Sequence, residues 1–233
     1  MEIRAVLFDL DNTLFDHQAS ATAGVAGFLK HLGAEFSEEL RFSWFEIEQA
    51  CYDQFLRKEI SFDEQRRERL RRFLPFARVT VPESEGMLDE LFLAYLSSYE
   101  NGWTAFPDAV PVLRGLRKDR MPVSVLTNGN DDQQRAKVKK IGLEPLVDRI
   151  FTSELIGHAK PASEAFLESC KELKVSPAQV LYVGDNYTVD VEGARNAGLQ
   201  AVHLARGSNP SEGSIQSLAE LRSILSKNPS RRC

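Results

Sequence analysis

Short apolar runs recur along this chain, separated by stretches with helical patterns, and this alternation limits the fold more than any other feature. Residues 3–10 (IRAVLFDL) form a nearly continuous apolar run with β-branched and aromatic members. Runs of the same character cover residues 122–127, 180–185 and 200–204, and a shorter one covers residues 149–152. Such runs are typical of parallel strands that are buried on both faces. The alternation predicts an α/β fold, a doubly wound, Rossmann-like parallel sheet with helices on both faces.

The segment between the first two runs breaks this alternation. It has no strand pattern, and helical patterns predominate. An apolar stripe at helical spacing passes through its first half, formed by Leu40, Trp44, Ile47, Cys51 and Phe55. We therefore predict an inserted all-α domain at residues 16–100, and an α/β core made of residues 1–15 and 101–233.

Several helix ends can be predicted from single residues. Gly142 and Gly198 follow helical stretches and are expected to end them. Pro161 is expected to open a helix that runs to Leu173, because proline is favoured at the first helical position. A helix is also predicted over residues 189–197.

Composition excludes some classes of partner. The formal net charge of −5 argues against a nucleic-acid-binding surface, although a local positive site for a small anion remains compatible with it. No apolar run approaches the roughly 20 residues needed to span a bilayer, and the N-terminus lacks the pattern of a signal peptide. The cysteines Cys51, Cys170 and Cys233 are widely spaced, which favours idle thiols in a reducing compartment. We expect a cytoplasmic protein.

Polar residues follow three of the predicted strands. Asp9 and Asp11 follow the first, Thr127 and Asn128 end the second, and Asp185 ends the third. Ligands of open parallel sheets bind beyond the carboxyl ends of the strands, so these side chains are expected at one edge. Clustered carboxylates repel one another unless a cation offsets their charge, and oxygen ligands of this kind suit Mg²⁺. Asp190 follows the third of these strands soon after Asp185, and Lys160 lies at a predicted loop-to-helix junction, where its ammonium could meet an anion.

Four segments resemble the motifs of the haloacid dehalogenase-like superfamily. Residues 9–14 (DLDNTL) are similar to its DxDxT/V motif, and residues 127–129 (TNG) to its second motif. Residues 160–161 (KP) resemble the third motif, and residues 184–190 (GDNYTVD) resemble the fourth. The four occur in the order found in the family, and the resemblance covers nearly the whole chain.

The resemblance implies a role for each matching residue. Asp9 would attack phosphorus and form an aspartyl-phosphate, and Asp11 would protonate the leaving group and then activate water. The Thr127 hydroxyl and the Asn128 backbone N–H would hold phosphate oxygens. Lys160 would neutralise both the phosphate and Asp9.

The resemblance also implies a metal site. Mg²⁺ would be held by the Asp9 carboxylate, the Asp11 backbone carbonyl and Asp185. Asp190 would bind the Mg²⁺ through a water molecule, or it would orient Lys160.

The inserted helices resemble the helical cap of this family, which closes over the site and contacts the substrate. Residues 61–72 (SFDEQRRERLRR) resemble a cap helix of phosphatase-like members. Arg66 or Arg69 could point into the site, while pairing with Glu64 and Glu68 on a solvated face is the alternative for this arginine-rich run.

Together these features predict Mg²⁺-dependent hydrolysis of a small phosphate monoester, such as a sugar phosphate or a nucleotide. A phosphomutase and a non-catalytic binding protein remain alternatives. A 2-haloacid dehalogenase is disfavoured, because those members do not retain the second aspartate and Asp11 is present here. The expected partner is a small phosphorylated metabolite, and the expected oligomeric state is a monomer or a loose homodimer.

Overall fold

The structure is a computed structural model that describes residues 2–207 and 213–226. It divides into two compact units. The first comprises Met1–Asp16 and Thr104–Cys233, and the second comprises His17–Trp103. The insert predicted over residues 16–100 can be compared with the second unit, which begins and ends slightly later in the chain.

A five-stranded parallel sheet forms the centre of the first unit, as far as the structure describes it. Its strands are β1 (Ala5–Phe8), β2 (Val123–Thr127), β3 (Arg149–Thr152), β4 (Val180–Gly184) and β5 (Gln200–His203). They lie in the order β3-β2-β1-β4-β5, so β1 is central and the order reverses beside it. All residues of β1, β2 and β4 are buried, as the apolar runs predict. The α/β class is confirmed, and each predicted run forms a strand.

The register of the sheet brings three strand ends to one edge. Phe8 of β1 lies beside Val125 of β2 and Val183 of β4. Asp9, the residue after β1, donates its backbone N–H to the Val183 carbonyl at 2.9 Å. Thr127 and Gly184, at the ends of β2 and β4, follow Val125 and Val183 closely in the chain. The polar residues after these strands therefore start from the same edge of the sheet.

The second unit is helical. Its helices are α1 (His17–His31), α2 (Glu38–Leu56), α3 (Phe62–Phe73) and α4 (Glu85–Asn101). Ser37, Ser61 and Ser84 cap the last three, each accepting a bond from a backbone N–H of the first turn.

Aromatic rings fill the core of the helical unit. The Trp44 ring centroid lies 4.3 Å from that of Tyr95 and 4.8 Å from that of Phe73, and Phe28 packs against all three. In the predicted stripe, Trp44 and Cys51 are fully buried, while Leu40, Ile47 and Phe55 are partly buried.

The remaining helices belong to the α/β unit. They are α5 (Ala109–Lys118), α6 (Asp131–Lys140), α7 (Ser153–Ile156), α8 (Ser163–Leu173), α9 (Gly193–Asn196) and α10 (Leu221–Ser226). Gly142 and Gly198 follow α6 and α9 with positive φ angles of 75° and 84°, which confirms them as helix-ending residues. Across the described ranges, no helix combines the length and apolar character that a membrane crossing requires. Cys51 and Cys170 are buried free thiols, and Cys233 lies outside the described residues.

Two predicted helix starts are wrong. Pro161 does not open α8, which begins at Ser163, because residues 159–162 form a turn in which Ala162 donates to the Ala159 carbonyl. The helix expected over residues 189–197 begins earlier, as a π-helix over Tyr187–Glu192 that continues into α9. The Asn186 side chain caps this π-helix by accepting from the Val189 N–H.

Candidate active site

Asp9 lies buried at the carboxyl end of the central strand. Its exposed fraction is 6%, and its Oδ1 atom lies 2.7 Å from the Lys160 Nζ atom. Its second oxygen, Oδ2, is buried and has no hydrogen-bond partner among the described residues. Burial raises the pKa of Asp9 well above its usual range, and the nearby Lys160 ammonium opposes that rise only in part. One carboxylate oxygen is thus neutralised and the other remains available to a ligand.

Lys160 is the buried cation of the site, with an exposed fraction of 3%. Its ammonium donates to Asp9 Oδ1 at 2.7 Å, Asp190 Oδ1 at 2.7 Å and the Tyr182 hydroxyl at 2.8 Å. An ammonium has three hydrogens, so all of its donors are used. Burial alone would lower the pKa of Lys160, but the Asp190 and Asp9 carboxylates hold it well above the usual value. Lys160 is therefore a fixed positive charge.

Asn128 fixes the backbone of Lys160. Its side-chain Nδ2 donates to the Lys160 carbonyl at 2.9 Å, and its Oδ1 accepts from the Lys160 N–H at 2.8 Å. The end of β2 and the loop that carries Lys160 are thereby joined by two hydrogen bonds. The sequence assigned a role only to the backbone N–H of Asn128, and this use of its side chain was not predicted.

Asp190 lies beneath the end of β4. It is buried, its Oδ1 accepts from Lys160, and its Oδ2 accepts from the Asn186 N–H at 3.1 Å. A Cβ atom on Gly184 would collide with the Asp190 side chain. Glycine at position 184 therefore allows Asp190 to reach Lys160 from the following helix.

Three carboxylates at this edge could hold a metal ion. Oxygen atoms of Asp9, Asp185 and Asp190 all lie within 4.8 Å of one another. Burial raises the pKa of Asp185 to about 7, with a further contribution from the Asp190 carboxylate. Because both Asp190 oxygens are already engaged, Asp9 and Asp185 offer the better ligands. The excess of negative charge in this cluster of oxygen ligands fits a hard divalent cation such as Mg²⁺.

Asp11, the second aspartate of the first motif, contacts a different set of residues. Its Oδ1 lies 2.6 Å from the Lys137 Nζ atom, and its Oδ2 accepts from Gln134 Nε2 at 2.8 Å. The loop that carries it turns sharply, since Asn12 has a φ of 59° and its N–H donates to the Phe15 carbonyl. Asp11 is therefore held by α6, while Asp9 is held by Lys160.

Thr127 completes this edge of the sheet. It is the last residue of β2, it is buried, and its Oγ1 accepts from Gln134 Nε2 at 2.6 Å. The structure therefore gathers Thr127 and Asp11 around Gln134, and Asp9 and Asp190 around Lys160.

Sequence reasoning missed Gln134, Lys137 and Tyr182. Gln134 and Lys137 are three residues apart on α6, so they share one face, but the same helix carries several other polar residues. Tyr182 lies within an apolar run and was interpreted only as core. The spacing of Gln134 and Lys137 was the available signal, and nothing in the sequence distinguished it from a solvated face.

Arg66 and Arg69 belong to the helical unit and differ in their contacts. Arg69 is buried, and it donates to Glu48 at 2.5 Å and to Gln65 at 2.6 Å. Arg66 lies over the rings of Phe62 and Phe92, at 4.3 and 5.4 Å from their centroids. Within the part of the chain that the structure describes, Arg66 has no carboxylate or hydrogen-bond partner.

The neighbouring arginines pair with carboxylates of the same helix. Arg71 donates to Glu64 at 2.5 Å, and Arg72 donates to Glu68 at 2.6 Å. The pairing with Glu64 and Glu68 is therefore present, but both arginines are partly buried, and Arg72 also donates to Gln54 of α2 at 3.2 Å.

Comparison with known proteins identifies the family. The profile of the haloacid dehalogenase-like hydrolases matches residues 3–198. The chain therefore belongs to this hydrolase family, which confirms the resemblance of its four motifs.

Individual relatives are similar over most of the chain. A ribulose-1,5-bisphosphate 5-phosphatase from Halopiger xanaduensis is 34% identical over 85% of this chain and 83% of its own length. An (S)-2-haloacid dehalogenase 4A from Burkholderia cepacia is 28% identical over 97% of this chain and 96% of its own. The crystal structure of HAD-hydrolase YfnB from Bacillus subtilis, bound to magnesium, has a TM-score of 0.82 and 25% identity. That similarity covers 97% of this chain and 99% of YfnB.

Proposed function

We propose that this protein is a Mg²⁺-dependent phosphatase that hydrolyses a small phosphate monoester through an aspartyl-phosphate at Asp9. The proposal rests mainly on the Asp9 carboxylate, which has one oxygen on the Lys160 ammonium and the other buried without a partner among the described residues. A carboxylate held this way has one oxygen neutralised and one free to attack an electrophile. The phosphatase named among the relatives and the magnesium in the YfnB structure support this assignment.

The first half of the reaction forms the covalent intermediate. The Asp9 carboxylate attacks phosphorus, and the bond between phosphorus and the ester oxygen breaks. The leaving oxygen takes the electron pair and a proton from Asp11. Thr127, Asn128 and Lys160 hold the oxygens of the transferred phosphoryl group and offset their negative charge.

The second half restores Asp9. Asp11, now a carboxylate, takes a proton from a water molecule, and the water oxygen attacks phosphorus. The bond between phosphorus and Asp9 breaks, which releases inorganic phosphate. Bound Mg²⁺, held by the Asp9 carboxylate, the Asp11 backbone carbonyl and Asp185, would supply further charge neutralisation.

We further propose that the helical unit acts as a cap that selects the substrate. Arg66 is the stronger candidate for a substrate contact, because its guanidinium lies over two aromatic rings and lacks an acceptor among the described residues. Arg69 already has a carboxylate partner in Glu48. A guanidinium recognises phosphate or carboxylate groups, so a sugar phosphate with a second anionic group is the substrate class we favour.

Phosphate release from a panel of phosphorylated metabolites and p-nitrophenyl phosphate, with Mg²⁺ or EDTA, tests the proposal. We expect metal-dependent release by the wild type and by Asp132→Asn, a matched control at an exposed position of α6. Asp9→Asn should release no phosphate. The rate constants across the panel would then identify the substrate class.

The same assay separates the alternatives. Chloride release from 2-chloropropionate without phosphate release would replace the phosphatase with a dehalogenase, as one relative's name suggests. Transfer of phosphate between two positions of a substrate, without free phosphate, would indicate a phosphomutase. No reaction by a folded protein loaded with Mg²⁺ would contradict the proposal.

A further inference from the structure

We infer that Gln134 and Lys137 of α6, here called the α6 clamp, are positioning residues that fix the Asp11 carboxylate, the form that takes a proton from water in the second half of the proposed reaction. This inference rests on the proposed phosphatase function. It assigns a purpose to two buried polar residues that none of the four family motifs contains.

The clamp holds both oxygens of Asp11. Lys137 contacts Oδ1 at 2.6 Å, and Gln134 contacts Oδ2 at 2.8 Å. The Lys137 ammonium also lies 4.9 Å from the centroid of the Phe15 ring, in the same loop as Asp11. Because each carboxylate oxygen has its own donor, the carboxyl plane of Asp11 is defined and not only its position.

Exposure differs sharply across this pair. The side chain of Lys137 is 6% exposed, whereas that of Asp11 is 29% exposed. A carboxylate with that much access to solvent does not need a buried lysine to keep its charge. Burying an ammonium has a cost that its partner must offset. The arrangement is therefore better explained by orientation of Asp11 than by its solvation.

Gln134 also connects Asp11 to the predicted phosphate-binding residues. Its Nε2 lies 2.6 Å from Thr127 Oγ1 and 3.2 Å from the Asn128 carbonyl. The Thr127 oxygen accepts from Gln134, and its hydroxyl donates to the Asn128 carbonyl at 3.3 Å, a long bond that a phosphate oxygen could replace. One amide thus contacts both the Asp11 carboxylate and the Thr127 hydroxyl that is proposed to hold the phosphate.

Gly129 gives α6 its access to this position. Its φ of 137° is a conformation that favours glycine, and it lies between β2 and α6. A Cβ atom at this residue would lie 3.4 Å from Gln134 Cγ and Cδ. The glycine of the second motif therefore lets the chain turn from Thr127 into the helix that carries the clamp.

Kinetic measurements on clamp variants test the inference. We expect Lys137→Met to lower kcat by about 10- to 100-fold with little change in KM, since misplacement of a catalytic group by about 1 Å has effects of this size. Gln134→Met should lower kcat by roughly 10-fold, and Lys137→Arg should recover part of the loss. Lys139→Met and Gln133→Met are matched controls on the same helix, and each should stay within about twofold of the wild type.

A double-mutant cycle provides a readout that a purely structural role would not change. In an Asp11→Asn background, assayed with p-nitrophenyl phosphate, Lys137→Met should cause almost no further loss of kcat, because the carboxyl group that transfers the proton is already absent. The inhibition constant of inorganic phosphate should be unchanged in Lys137→Met with Asp11 intact.

The outcomes are distinguishable. A wild type that releases no phosphate overturns the proposed function and this inference with it. An active wild type with full kcat in Lys137→Met overturns the clamp alone. Equal losses from Lys137→Met with and without Asp11 also overturn it. If Lys137→Met fails to fold, Gln134→Met, which removes no charge, decides: an unchanged kcat overturns the inference.

Discussion

The α/β unit and the helical unit both bury charged side chains, but they neutralise them differently. In the helical unit, Arg69 is paired with the Glu48 carboxylate and lies over the rings of Trp44 and Phe92. At the sheet edge of the α/β unit, Lys160 faces an excess of carboxylates that comprises Asp9, Asp185 and Asp190.

The difference shows how a structural charge can be told from a functional one. A buried pair of opposite charges is complete without a ligand, and removing one partner leaves the other uncompensated. A buried excess of one sign is incomplete, and a cation or a reacting group can complete it. We therefore expect variants of the helical pair to change stability and variants of the sheet edge to change activity.

Lys160→Met should have the largest effect. It removes the charge that neutralises Asp9 and the proposed phosphate, so kcat/KM should fall by about 10³-fold. Phosphate release measures this loss, and circular dichroism checks that the variant is folded. Lys171→Met, at an exposed position of α8, is the control. Retention of more than a tenth of the activity would contradict the claim that the buried charges at the sheet edge serve activity.

Arg69→Met should act on stability instead. It removes the guanidinium that Glu48 contacts at 2.5 Å, while His17 Nε2 stays 3.3 Å from Glu48, and we expect the free energy of unfolding to fall by about 3 kcal/mol. Urea denaturation measures the change, and Arg41→Met, which removes an exposed pair with Glu38, should cost under about 1 kcal/mol. If stability were unchanged and KM rose instead, Arg69 would be a substrate contact and the comparison would fail in the helical unit.

Arg66→Met sharpens the comparison, because this arginine lies in the same helix as Arg69 but has no acceptor among the described residues. Methionine keeps the apolar contact with Phe62 and Phe92. We expect KM for a substrate with a second anionic group to rise by about 5- to 20-fold, with little change for p-nitrophenyl phosphate. An equal change in KM for both substrates would contradict a contact with the second anion.

Asp108→Asn tests whether a fully paired carboxylate of the α/β unit affects stability rather than activity, although it lies in the same unit as the sheet edge. Asp108 accepts from Arg206 at 2.7 and 3.0 Å, from Ser217 Oγ at 2.7 Å and from the Leu218 N–H at 2.9 Å. Burial would raise the pKa of Asp108, but these donors hold it below its usual value. We expect a stability loss of about 1 kcal/mol at pH 7, with kcat within about twofold of the wild type.

The sign of the pH dependence follows from that lowered pKa. In the unfolded chain the Asp108 carboxyl group binds a proton at a higher pH than in the folded protein. Its contribution to the free energy of unfolding is therefore present above about pH 4 and is lost as the pH falls through the folded pKa. Urea denaturation between neutral pH and about pH 3 should show a shallower acid decline in Asp108→Asn than in the wild type. If the stability of both proteins declined equally with pH, ionisation of Asp108 would not contribute to stability.

The fold and the motif residues could be predicted because they depend on local patterns. The buried run of β1 identifies a central strand, and parallel pairing brings the residues after β1, β2 and β4 to one edge. Asp9, Thr127 and Asp185 could therefore be assigned to one site from their places at strand ends.

The remaining features depend on partners that are distant in the chain. Lys137 is one of several lysines in α6, and only its contact with Asp11, which lies far earlier in the sequence, sets it apart. The Tyr182 hydroxyl matters because Lys160 donates to it from another loop. The start of α8 was mispredicted because the preceding loop is fixed by the Asn128 side chain rather than by the helix preference of Pro161.

Trapping of the covalent intermediate tests the central claim most directly. Asp11→Asn would be mixed with radiolabelled p-nitrophenyl phosphate and Mg²⁺ and then quenched in acid. The nitrophenolate of this substrate leaves readily without a general acid, so the covalent intermediate should still form. Its hydrolysis should be slow, because the variant lacks the Asp11 carboxylate that activates water. Our account predicts label on the peptide that contains Asp9, approaching one phosphate per protein, and no label in the Asp9→Asn, Asp11→Asn double variant. Phosphate release by the wild type with no label on that peptide would contradict it.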